Sequence, residues 1–133
     1  MARADYNARI INSSRELTAK EKIMLKDFND CTGLDGVVTE GNPLTIKVDT
    51  MVTVAVHNEK ANGDKDYETT VIVADDGTKY STSSKSLNEA ISDIMDEIAD
   101  SEDEELKDNL VIRIFKKPSK NYSGKFFLTA VLA

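Results

Sequence analysis

The sequence predicts an α+β chain, mainly β: five antiparallel strands closing into a small barrel, a helix between the third and fourth strands, and an added helix ahead of the first. Three observations carry this. Apolar and polar residues alternate with period two over 44–58, 110–117 and 126–132. Turn dipeptides, Asn62–Gly63 and Asp76–Gly77, separate the first three strands. Two stretches, 14–30 and 84–100, change to the helical period.

Residues 1–12 carry weak signals and are expected to be a flexible arm. In 14–30, Ser13 with Glu16, or Thr18 with Glu21, has capping-box spacing. Leu17, Met24, Leu25 and Phe28, with Ile23 beside them, supply an apolar stripe. Residues 37–43 read as a loop. The strand over 44–58 places Ile46, Val48, Val52, Val54 and Val56 on one face, and Lys47, Asp49, Met51, Thr53 and His57 on the other. It is long enough to bend between two parts of a sheet. Residues 67–74 return from the Asn62–Gly63 turn, and 78–83 form the third strand. In 84–100, Ser86 and Glu89 fit a capping box, and Leu87, Ile91, Ile94, Met95 and Ile98 form the buried stripe. Residues 101–108 are an acidic loop or frayed helix end, followed by the strands 110–117 and 126–132. Three strands, a helix and two strands is the order of the OB-fold. One domain is expected over 1–133, with its OB-like core over 44–133.

At 133 residues the chain is the size of one domain, 40% apolar and 31% charged. Folding buries roughly two thirds of the surface of a chain this long, so neither disulfide nor metal is needed. A lone Cys31 and a lone His57 leave no disulfide framework and no Cys/His zinc set. No apolar run approaches the ~20 residues of a membrane span, and the N-terminus has no signal-peptide core. A reducing, intracellular (cytoplasmic) setting with no membrane contact is expected. P-loop, G-x-G-x-x-G, H-E-x-x-H and G-x-S-x-G motifs are absent from the sequence, and no pair of carboxylates stands out, so no enzyme, metal or cofactor is predicted.

The formal charge of −7 conceals a division. Residues 93–108 hold nine acids against one base, while 109–133 hold Arg113, Lys116, Lys117, Lys120 and Lys125 and no acid. Screening over roughly 8–10 Å lets the two regions act separately. With Leu110, Ile112 and Ile114 facing inward, the opposite face of the last hairpin shows Arg113, Phe115, Lys117, Lys125 and Phe127. The turn adds Lys120 and Tyr122. Cations interleaved with rings suit single-stranded nucleic acid: cations follow phosphates, and rings stack on bases for ~1–3 kcal/mol each whatever the sequence. Tyr67 and Tyr80 on the neighbouring strands would extend the platform, with Tyr80 kept as a candidate. The ordinary alternative is packing, because strand Phe usually faces a core and hairpin Lys usually protects an edge.

Three stretches, SRELTAKEKIMLKD at 14–27, DDGTKYSTSSKSLNEAISDI at 75–94 and KKPSKNYSGKFFLTAVL at 116–132, cover about two fifths of the chain. Together they resemble the single-stranded DNA-binding proteins of tailed phages and prophages of Gram-positive bacteria. The resemblance implies an OB-like core that coats displaced single strands during phage replication and recombination. Its basic pattern falls on Lys116, Pro118, Ser119, Lys120, Gly124, Lys125, Phe127, Leu128 and Thr129. The chain departs from many single-stranded DNA-binding proteins in one respect: its acidic cluster is internal.

Two readings follow. In one, the chain binds single-stranded DNA without sequence preference, through Arg113, Lys117, Lys120 and Lys125 on phosphates and Phe115, Tyr122, Phe127 and Tyr80 on bases. Replication proteins, met through 93–108, and further copies of the chain are its other candidate partners. In the other, the chain is a small acidic phage inhibitor whose carboxylates imitate DNA and occupy a basic host protein.

Overall fold

The computed structural model describes residues 6–60, 62–120 and 124–133. In chain order the elements are β1 (Tyr6–Ser13), α1 (Ala19–Leu25), β2 (Thr32–Gly33), α2 (Leu34–Val37), β3 (Leu44–Asn58), β4 (Asp66–Ala74), β5 (Lys79–Thr82), α3 (Lys85–Asp100), α4 (Glu104–Asp108), β6 (Val111–Pro118) and β7 (Phe126–Leu132). The five expected strands are β3 to β7, with α3 between the third and fourth. The sheet as a whole has seven strands and is mixed, in the order β2-β5-β4-β3-β6-β7, with β1 pairing β3 and β2 running parallel to β5. It curls into a half-barrel. Among the described residues no backbone ladder joins β5 to β7, so the expected closed, five-stranded antiparallel barrel is corrected to an open curl. Across that gap the Ser86 hydroxyl donates to the Leu128 carbonyl at 2.8 Å.

The long strand β3 organises everything else. Its C-terminal part lies between β4 and β1, and its first residues, Leu44–Lys47, pair with β6. A bulge at Asp49 marks the change, because Val48 pairs Ala74 while Thr50 pairs Val73. One extra residue reverses the facing of everything beyond it. Ile46, Val48 and Met51 therefore join one core, with Ile72, Leu87, Ile91, Ile112, Ile114 and Leu128. Val52, Val54 and Val56 join a second core on the opposite face, with Val71 and Leu25. The expectation that Ile46 to Val56 share a face holds only up to the bulge.

Three further expectations change. Residues 6–12 belong to β1, because Ala8 and Ile10 pack on the second core and the strand pairs with β3 over Tyr6–Ser13. The N-terminal helix is short, Ala19–Leu25, and of the two candidate caps Thr18 with Glu21 is the one formed. Leu25 is buried, but Ile23 and Met24 point to solvent. The cap of α3 is Ser84, whose hydroxyl accepts from Leu87 N; Ser86 is inside the helix and reaches β7 instead. Gly77 turns β4 into β5 at φ +90°, which a side chain would strain. No described helix is long and apolar enough to cross a membrane.

Candidate nucleic-acid interface

Strands β6 and β7 form a hairpin in which Arg113 pairs Val131, Phe115 pairs Thr129, and Lys117 pairs Phe127. Directly paired residues share a face. Ile112, Ile114, Leu128 and Ala130, at the alternate positions, are buried in the core with α3. Arg113, Phe115, Lys117 and Phe127 therefore lie together on the outer face. Arg113, Lys117 and Phe127 are exposed and Phe115 is half-buried. The Arg113 guanidinium lies 6.0 Å from the centre of the Phe115 ring, at the limit of a cation–π contact. Along β6 successive outer residues stand roughly 6.6 Å apart, from the rise of a strand.

Lys120 and Lys125 are exposed at the tip of the hairpin, where Ser119 N–H donates to Lys125 O at 2.9 Å. Gly124 holds φ +77° there. Tyr122 lies outside the described residues. Tyr80 does not join this group. It pairs with Ile72 on β5 and packs, half-buried, on the core that the hairpin's inner face also covers, which puts it on the far side of the sheet from Phe115 and Phe127. Tyr67 packs on the second core.

Two residues that the hairpin pattern omitted belong to the face. Thr45 pairs Arg113 and Lys47 pairs Val111, both exposed on β3. The alternation over 44–58 had already put Lys47 on a polar face; only the register with β6 shows which one. Lys116, by contrast, is half-buried beside Leu128 on the inner side.

Asp93, Asp96, Glu97 and Asp100 on α3 and Glu102–Glu105 and Asp108 in and around α4 are exposed, and α4 leads directly into the start of β6. The eight residues of β6 separate the α4 acids from the hairpin tip, roughly 26 Å at 3.3 Å per residue. At about three Debye lengths, the α4 acids leave the field at the tip largely to its own cations.

An open cleft of about 700 Å3 runs between α3 and the β1–β3–β4 sheet. Arg9 and Lys85 line it, but so do Asp64, Asp66, Glu68 and Glu89, so its charges oppose one another. His57 stands at its rim, held between Asp66 and Glu59 at 2.7 Å from each; these hydrogen bonds raise its pKa above the ordinary value. A polyanion finds no uniform attraction there, in contrast to the acid-free hairpin.

A family model described as phage single-stranded DNA-binding protein matches residues 5–132. Among curated proteins and solved structures none matches. The family match takes in the hairpin together with the whole sheet on which it is mounted, and the chain belongs to the phage single-stranded DNA-binding proteins.

Proposed function

We propose that the protein coats single strands displaced during phage DNA replication and recombination in the bacterial cytoplasm, without sequence preference and without catalysis, through the outer face of β6–β7 and the adjoining start of β3. The observation that carries this is the grouping of Arg113, Phe115, Lys117 and Phe127 on one face of an acid-free hairpin. Arg113, Lys117, Lys120, Lys125 and Lys47 contact phosphates. Phe115 and Phe127 stack on bases, and Tyr122 keeps the stacking role at the turn that its place in the sequence gives it.

The path β3-β4-β5-α3-β6-β7, with β3 shared between β4 and β6, supports an OB-like reading of the core. The acidic lobe at α3–α4 contacts replication proteins and, by repulsion, turns bound DNA toward the hairpin tip.

The test is fluorescence anisotropy with labelled dT and mixed-sequence oligonucleotides, single- and double-stranded, from low to physiological salt. Salt-sensitive binding to single strands alone, indifferent to sequence, is expected. Failure to bind at low salt overturns the coating role and turns attention to a basic protein partner for the acidic lobe.

A further inference from the structure

We infer that β1 is a self-pairing edge through which two copies of this chain associate. Among the described residues β1 pairs on one side only, with β3. Over Tyr6–Ile10 its other edge has no Pro, no Lys and no bulge, and one charge, Arg9; the bulge of the strand lies beyond, between Ile10 and Asn12. Two of the exposed large apolar side chains of the molecule, Tyr6 (38%) and Ile11 (49%), sit on this strand.

The direction of the backbone groups fixes the geometry. Asn58 N–H donates to Lys65 O on the β4 side, and Met51 O accepts from Ser14 N on the other. Odd-numbered residues of β3 beyond the bulge therefore address β1, and their partners Asn7 and Arg9 address β3. Tyr6, Ala8 and Ile10 turn their N–H and C=O groups to the open edge. An antiparallel second copy whose two-fold axis passes through Ala8 sets Ala8 against Ala8 and Tyr6 against Ile10, each an outward-facing hydrogen-bonding pair.

The same register matches the side chains. Tyr6, Ala8 and Ile10 meet on the apolar face that packs on the second core. Asn7 meets Arg9 of the second copy on the cleft face, so the single charge never faces itself. An axis through Arg9 instead would oppose two guanidinium groups. The bulge between Ile10 and Asn12 ends the regular edge and confines the pairing to this segment. The dimer joins the two sheets through β1 and brings the two clefts side by side. It needs no DNA, and it leaves both hairpins free.

The experiment is sedimentation velocity on the full chain without DNA, from about 1 to about 500 μM, the range in which so short an interface dissociates. The wild type is expected to pass from monomer to dimer. Ala8→Pro removes an N–H that β3 does not use, and is expected to leave a monomer with an unchanged circular-dichroism spectrum. Asn7→Lys places a cation opposite Arg9 twice per dimer and weakens association about tenfold; Asn7→Glu strengthens it about tenfold. The two Asn7 variants decide the matter if Ala8→Pro fails to fold. A wild type that stays monomeric throughout, or a dimer indifferent to both Asn7 variants, overturns the inference.

Discussion

Phe127→Leu is the substitution that separates stacking from packing on the hairpin. Phe127 is 37% exposed on β7, opposite Lys117, and its buried part rests on an edge strand. Leucine keeps an apolar side chain there and removes the π-face. The packing cost of such a swap is below about 1.5 kcal/mol, against about 5–15 kcal/mol for the stability of a domain this size, so the variant folds. Loss of one stacked base is worth about 1–3 kcal/mol, which corresponds to affinity about 5- to 150-fold weaker. The ring carries no charge, so the fall in affinity should be the same at every salt concentration, with the slope of log K against log salt unchanged. Phe127→Tyr retains the π-face and should bind like the wild type. The assay is anisotropy on a labelled dT oligonucleotide, with a thermal melt beside it. If Phe127→Leu binds within about twofold of wild type while folded, the ring does not stack. If Tyr loses as much as Leu, the π-face is not what binds and the stacking argument fails.

Charge on the same face follows a different rule. Lys117→Gln and Lys47→Gln should each reduce the salt slope by about 0.7, the value for one phosphate contact on a single strand, while Lys116→Gln on the inner side leaves it unchanged; salt titrations of the three variants check this. At low pH the capped start of α1 weakens. The hydrogen bond from Arg15, with the cap at Thr18, holds the Glu21 pKa at about 2, below its ordinary 4.5. That stabilisation is complete above the unfolded pKa and is lost as pH falls toward the folded one. Melting temperature should therefore drop between pH 5 and pH 2, and drop less in Arg15→Gln, as read by circular-dichroism melts. Deleting Asp49 removes the extra residue but leaves Val48 opposite Ala74 and Thr50 opposite Val73, with Ile46, Val48 and Met51 on one face and Val52 on the other. The variant should therefore fold with a urea denaturation midpoint close to that of the wild type; a collapse of the midpoint would refute the account of the bulge as one extra residue in an otherwise regular pairing.

The sequence made β6 and β7 readable because their residues alternate between a core side and an outer side, and β4 and β5 because turn dipeptides set them off; β4 itself does not alternate, being buried on both faces over Thr69–Ile72. It made α3 readable because Leu87, Ile91, Ile94, Met95 and Ile98 repeat at helical spacing and are all buried. The outer hairpin face followed from alternation alone. What escaped needed partners. β1 has only Ala8 and Ile10 turned inward, and it is a strand because β3 is there to pair with it. The facing of β3 turns on one bulged residue, which leaves no mark in composition. Tyr80 could not be placed from its own strand, since its side depends on pairing with Ile72. Lys47 reaches the interface from a strand more than sixty positions away from the hairpin, so no local pattern could have added it.

The bulge at Asp49 has a mechanical consequence. The hairpin is tied to the rest of the sheet along β3 by the short ladder Leu44–Lys47, whereas β4 is tied from Val48 to His57. A short ladder opens more readily than a long one, and in amide hydrogen exchange the β3–β6 amides should exchange sooner than those between β3 and β4. The face proposed to meet DNA is thus joined to the long strand by the shorter of these two ladders. Single strands have no fixed curvature, and a hairpin held to β3 by so few pairs, with its inner face kept on α3, would follow them by small local shifts without loosening the Val52–Val54–Val71 core.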